Sequence, residues 1–492
     1  MPAQQALCAH SQLQVDVSGH AAKARFVRPS LAKRLAAATP SGSIVAHDGP
    51  AQNLINELDY TFPGPLLLPD DGLASGDDKA PQSLRSWLRE PWRNPVTPQR
   101  KTLYVAPVPT VSPSASFMKT WATPSKPSCT AASKKTPPPK PADVLAYLQA
   151  FYHPLQVKLL PDAVSFVAYD KNKNENTANE DPTPSYVGLQ IGTAKSATRI
   201  RVRTCPDGAF SHQLQLKDVL DAALKTLPAD AYAVVLATEH DLFEDAADAF
   251  CCGRAYGGSR VCVVSAARYH PALDDDDDGS VAAYRDPFSV EREHAWPASH
   301  CRDFVQAVLR GEGAVEDGGG LGLDGEVSDG GRRGAKRRKV QPVEVVDLTG
   351  SEPVVVVVEA TPLGAAVKAV CAARRGRKKT DLYGLWLSRV VRTVAHELAH
   401  CFCLGHCVYY ACVMQGTGHI AEDGRQPPYF CPVCLKKVTT AIRDVHPELG
   451  EDQLVRERYA LLREFCGRFP RAAMFVGFGA WLDKRMESLG QQ

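Results

Sequence analysis

The chain has 492 residues, 44% of them hydrophobic and 23% charged, with a formal net charge of +2. That mix suits a globular protein of roughly two to four domains, and the near-neutral charge excludes a chain built throughout to bind nucleic acid. The opening MPAQQALCAH lacks the basic start and apolar stretch of a secretory signal, and no apolar run reaches the ~20 residues of a membrane span, so the expectation is a nuclear and/or cytoplasmic protein with no membrane partner.

Residues 1–100 are rich in Pro, Ala, Ser and Gly and read as an N-terminal extension, partly disordered, with short helical pieces at 31–38 and 82–89. Residues 101–108 form a first buried strand, and a Ser/Thr/Pro/Lys-rich linker runs to Lys140. The spacing of Val144, Leu145, Leu148 and Phe151 predicts a helix over 141–152. A second strand follows at 157–160, then a polar insertion at 171–185 and a strand-like stretch at 189–202. Residues 214–226 have helical apolar spacing, and the apolar runs Ala231–Thr238 and Val261–Ser265 suit buried strands. Strands alternating with helices indicate a mixed sheet. The five aspartates at 274–278 read as a solvated loop rather than a calcium site, because their oxygens lack EF-hand spacing.

Residues 311–360 begin with a Gly/Asp/Glu-rich run and read as a disordered insertion. Six of the eight residues at 332–339 are basic, including Lys336, Arg337, Arg338 and Lys339; this is a nuclear-import or nucleic-acid signal, set against a plain solvated charge run. A second basic cluster lies at 374–379. Val343, Val345, Val346, Asp347 and Leu348 form a short β-prone core with acidic flanks, similar to a SUMO-interacting motif that would add a strand to a partner's sheet.

Folded-looking sequence resumes at Thr361, and residues 382–404 form a long helix. From His396 the chain reads HELAHCFCLGHC. His396 and His400 share one helical face one turn apart, close enough to hold one metal ion, and Glu397 beside them can serve as a general base. His406 would lie ~9 Å along a continued helix, beyond any zinc with bonds near ~2.1 Å. The helix must therefore break after His400. In the metzincin pattern HExxHxxGxxH a glycine makes that break; here Cys403 stands in its place and Gly405 comes two residues later. Either Cys403 takes a left-handed conformation at a cost of ~1–2 kcal/mol, or Gly405 bends a different loop path. Cys401 and Cys403 are expected to face the core rather than compete for zinc. Met414, eight residues after His406, suits a methionine turn below the metal.

The chain has 15 cysteines, six of them between Cys401 and Cys434. Without a secretory signal such clustering reads as metal ligation in a reducing compartment. Cys407 and Cys412 form one close pair and Cys431 and Cys434 another, which suits a closed tetrahedral zinc site with a structural role.

This combination resembles the archaemetzincins. The stretches 237–243, 261–269, 151–160 and 457–459 are also similar to segments of that family, so the resemblance covers roughly 101–310 and 361–485. It implies an α+β, metzincin-like zincin fold. A twisted mixed β-sheet and an active-site helix would be joined by a small C-terminal subdomain carrying the four-cysteine zinc site. The parts would be 101–310 and 361–445 for the catalytic unit, with 446–492 as a C-terminal helical segment. It further implies a zinc metallopeptidase with two zinc ions per chain, one catalytic and one structural. A peptide or protein substrate would lie along an edge strand, for which Val261, Cys262, Val263 and Val264 are the candidates by analogy. The alternative is a non-catalytic nuclear SUMO-binding adaptor with structural zinc sites only. DNA association rests on the basic clusters alone.

Overall fold

The computed structural model describes residues 12–44, 58–69, 71–72, 81–125, 135–169, 184–192, 196–274, 295–310, 358–375 and 381–490. The basic cluster, the SUMO-like motif and nearly all of the expected insertion lie outside these residues. Among the described residues no helix is long and apolar enough to cross a membrane.

Helices α1 (Leu31–Ala37) and α2 (Leu84–Leu88) each start on a serine whose side chain accepts a backbone N–H of the first turn. These N-terminal pieces are not an appendage to the fold, as the composition of residues 1–100 suggested. Phe62, Leu67, Leu68, Leu84 and Trp87 are all buried, and the Trp481 Nε1–H donates to the Thr61 carbonyl. Average composition hid short apolar runs that find their partners only in three dimensions.

The strands run in order β1 (Thr102–Val105), β2 (Thr110–Val111), β3 (Val157–Leu159), β4 (Val164–Ala168), β5 (Tyr186–Ile191) and β6 (Thr198–Thr204). They continue as β7 (His212–Gln215), β8 (Ala231–Thr238), β9 (Asp241–Phe243), β10 (Gly253–Tyr256) and β11 (Val261–Ser265). They divide into two sheets rather than one. The first has the order β10-β11-β8-β1-β3, parallel except for β10 against β11. The second has the order β2-β4-β5-β6-β7-β9. The single stretch expected at 189–202 is an antiparallel pair, β5 with β6.

Strand β11 is not the edge that the resemblance suggested for Val261 to Val264. It is hydrogen-bonded on both sides, to β10 and β8, and all of its residues are buried. Among the described residues the edge on that side is β10, an antiparallel strand whose four-residue pattern carries too little apolar character to stand out in sequence.

The remaining helices are α3 (Pro141–Phe151), α4 (Leu216–Leu224), α5 (Arg302–Leu309), α6 (Pro362–Arg375), α7 (Leu382–Cys401), α8 (Ile420–Gly424), α9 (Pro432–Arg443), α10 (Glu451–Gly467) and α11 (Ala473–Gly490). The main core joins the first sheet to α3, α7, α9, α10 and α11; a second core lies between the sheets and α4. Helix α7 is capped by the Asp381 side chain at the Gly384 N–H and is buried on almost every face. It packs on β8, β10 and β11 on one side and on α3 on another. Its buried cations are paired, Arg389 with Asp274 at 2.9 Å and Arg392 with Asp423 at 2.8 Å, because an unpaired charge in such a place would be very costly. Asp274, expected in a solvated loop, is thus a buried partner of helix α7.

Candidate metal centre

Helix α7 carries His396, Glu397 and His400 in its last two turns, and its end delivers the third imidazole. The Cys403 N–H donates to the His400 carbonyl at 2.8 Å and the Leu404 N–H to the Ala399 carbonyl at 3.2 Å. These two bonds make a Schellman motif, whose pivot residue must be left-handed. Cys403 is that residue, with φ +58°. The bend therefore occurs where metzincins place glycine, and Gly405 is not at positive φ.

His396, His400 and His406 offer ring nitrogens that all lie within 4.8 Å of one another. The Nε2 atoms of His396 and His400 are 3.0 Å apart. Each ring is oriented from behind: Nδ1 of His396 faces the Val413 carbonyl at 2.6 Å and Nδ1 of His400 the Leu404 carbonyl at 2.7 Å. A carbonyl can only accept, so Nδ1 carries the proton in both and Nε2 presents its lone pair. Burial, then the neighbouring imidazoles, hold the His396 pKa well below its ordinary value, which keeps the ring in the neutral, ligating form. The ring of His406 lies against Gly416, where a Cβ would come within 2.8 Å of Nδ1. Met414 is fully buried, and its carbonyl accepts from the Cys407 N–H at 2.6 Å.

Glu397 is buried beside this cluster. Burial pushes its pKa up to about 8, with Arg254 opposing and Asp423 and Glu244 adding to the rise. Its carboxyl lies against the edge strand: a Cβ on Gly253 would be 3.1 Å from Glu397 Cγ and 3.3 Å from Oε1. Gly253, Arg254 and Glu244 were not singled out from the sequence. The glycine preceding the RAYGGS stretch was the available signal for a close approach at β10.

The four cysteines Cys407, Cys412, Cys431 and Cys434 also lie within 4.8 Å of one another and are buried. Sγ of Cys407 is 3.5 Å from Sγ of Cys431. Hydrogen bonds from Cys412, Cys431 and Cys434 hold the Cys407 thiol low, while burial pushes Cys431 up. The Sγ of Cys412 also accepts the Cys431 N–H at 3.2 Å. Cys401 and Cys403 belong to neither cluster: Cys401 is buried in the core, and the Cys403 Sγ–H donates to the Trp92 carbonyl.

Both donor sets fit zinc. Tetrahedral zinc spaces imidazole nitrogens by about 3.3 Å and thiolates by about 3.8 Å, close to the separations seen. A third group, Asp71, His419 and Glu422, fits less well. Arg425 already pairs with Asp71, and His419 Nδ1 accepts the Glu422 N–H at 3.2 Å, which leaves the proton on Nε2, facing Asp71.

A profile of Peptidase family M54 matches residues 366–440. This segment is similar to the archaemetzincins. Human archaemetzincin-2 is 40% identical over 62 residues, covering 13% of this chain and 17% of that protein. The archaemetzincin of Methanopyrus kandleri is 46% identical over 52 residues, 11% of this chain and 30% of that one. The archaemetzincin match therefore spans well under half the length of these curated relatives. Among solved structures, the Methanopyrus kandleri archaemetzincin overlaps 70% of this chain and 98% of its own at 15% identity and a TM-score of 0.29. A zinc-dependent peptidase from Methanocorpusculum labreanum overlaps 68% and 99% at 14% identity and 0.27.

Proposed function

We propose that the chain is a zinc metallopeptidase, with catalytic zinc held by His396, His400 and His406 and structural zinc held by Cys407, Cys412, Cys431 and Cys434. The observation that carries this reading is the convergence of three imidazoles beside the buried carboxyl of Glu397. Zinc bound there supplies a Lewis acid that polarises the scissile carbonyl and makes water more acidic. Glu397 takes a proton on its carboxylate from the attacking water as the new C–O bond forms. It returns that proton to the amide nitrogen as the C–N bond breaks, leaving a carboxylate and an amine. A carboxyl with a pKa raised toward neutrality suits both transfers.

The substrate would lie extended along the outer edge of β10, adding a strand to the first sheet. The four-cysteine site would hold the segment beginning at Cys407, the neighbour of His406, and so steady the third catalytic ligand.

The test is direct. The purified chain should carry two zinc ions and cleave members of a peptide library. Glu397→Gln should lower kcat by about a hundredfold to ten-thousandfold with two zinc ions still bound. Cleavage undiminished in that variant would sink the mechanism.

A nuclear role through the SUMO-like and basic motifs is a separate proposal that rests on sequence alone. Deleting residues 311–360 should leave cleavage of small peptides intact and remove SUMO binding. If that deletion removed cleavage of small peptides, the insertion would be part of the catalytic unit instead.

A further inference from the structure

We propose that Gln82 is a positioning residue for the three-histidine site: its one side-chain amide clamps the left-handed turn that delivers His400 and His406 to the metal. The inference rests on the metal-site reading above. Gln82 lies far outside residues 366–440, the segment that marks the family.

The Gln82 Nε2–H donates to the Cys403 carbonyl at 3.0 Å, and its Oε1 accepts the Gly405 N–H at 2.9 Å. One amide thus grips the C=O before Leu404 and the N–H after it, as a neighbouring strand would. The residue between them matters most. The Leu404 carbonyl accepts the proton of His400 Nδ1 and so turns the His400 Nε2 lone pair toward the metal. His406 follows Gly405 directly. Fixing residues 403–405 therefore fixes two of the three ligands.

The turn needs an outside support. Cys403 sits at φ +58° without the freedom of glycine, and α7 has ended. Support comes from the N-terminal segment at three points. Besides Gln82, the Trp87 Nε1–H donates to the Phe402 carbonyl at 2.8 Å, and the Cys403 thiol donates to the Trp92 carbonyl at 3.2 Å. Gln82 is itself held. The Lys437 ammonium donates to Oε1 at 2.8 Å and to the Gln82 main-chain carbonyl at 2.6 Å. Lys437 is buried on α9, three residues beyond Cys434. The amide therefore ties the catalytic turn to the helix that begins at the four-cysteine cluster.

Only an amide meets all of these demands. It must donate to one carbonyl and accept from a backbone N–H and an ammonium. A glutamate at 82 would keep the Lys437 and Gly405 bonds but set a carboxylate oxygen against the Cys403 carbonyl. An alanine would leave both backbone groups and the buried Lys437 without this partner.

The experiment measures metal affinity, with no reference to peptide cleavage. Full-length parent and Gln82→Ala proteins are titrated with zinc against a chelator, and with Co2+ in the visible region. Folding is checked by circular dichroism. The variant should bind zinc at the histidine site about ten- to a hundredfold more weakly, the range for losing a group that orients a ligand. Its Co2+ ligand-field band from that site should change, while the cobalt–thiolate charge-transfer band of the cysteine site stays. A folded variant with parental affinity, within twofold, overturns the proposal. If Gln82→Ala does not fold, Gln82→Glu is read by the same criterion: weakened binding supports the clamp and parental affinity overturns it. A parent that binds metal only through its cysteines overturns the metal-site reading, and this inference with it.

Discussion

Cys403 is the residue on which the geometry of the three-histidine cluster turns. The motif called for glycine there, and the sequence left two loop paths open. The hydrogen bonds around Ala399 and His400 decide for a left-handed cysteine. That conformation carries strain, so Cys403→Gly should stabilise the chain by roughly 0.5–1 kcal/mol, the steric relief of a left-handed residue less the entropy of glycine. The measurement is a higher urea midpoint with unchanged zinc content. A lower midpoint would mean that the thiol bond to Trp92 outweighs the strain. The two side-chain clusters were legible because metal coordination demands particular side chains at particular spacings. Gln82 was not, since a glutamine more than three hundred residues away has no local signature.

At the scale of elements, β10 packs against α7 beside the three-histidine cluster. Gly253 lets the edge strand lie against Glu397, and Gly257 lets the following turn approach the His400 carbonyl, where a Cβ would come within 2.7 Å. Gly253→Val has no such room: its side chain would press on Glu397 and on the Val263 carbonyl. Its kcat should fall by about a hundredfold, the penalty for moving a catalytic group by about 1 Å, with zinc content unchanged. A variant that matches the parent in kcat would show that Glu397 accommodates the strand by shifting. Sequence placed most long apolar strands and helices well, because a run such as Ala231–Thr238 buries itself wherever it goes. It misjudged the edge, since edge status depends on which strand lacks a neighbour.

At the scale of the whole molecule, the described pieces of the first hundred residues contribute side chains to the core. Each large apolar side chain removed from a core costs about 2–5 kcal/mol, against a total stability of about 5–15 kcal/mol. Deleting residues 1–100 removes Phe62, Leu84 and Trp87 among others, so the truncated chain should show no cooperative thermal transition by circular dichroism. A sharp transition would return these residues to the status of an extension. The pH response is also a property of the whole fold. Burial lowers the pKa of His240 and of His300 to about 4, and unfolding restores an ordinary value of about 6.5. Between those values the unfolded chain binds protons that the folded chain refuses. Stability is therefore full above pH ~6.5 and declines as pH falls toward ~4, by about 3 kcal/mol for each of these histidines. Urea unfolding at pH 7 and pH 5 measures the loss, and His240→Phe should reduce it. Equal losses in variant and parent would assign the effect to other groups.

The sequence by itself marked the two candidate donor sets: three histidines beside a glutamate, and four cysteines, all at metal-ligand spacing. Those features are local, written within about forty residues, and a ligand set is constrained by the short reach of a metal bond. Only the tertiary structure decided which strand forms the sheet edge beside Glu397, that the described N-terminal pieces reach the core, and that Cys403 rather than Gly405 makes the bend. Each of these depends on what lies beside a residue in space, and hydrogen bonds such as those from Gln82 and Trp87 join positions that the chain keeps far apart.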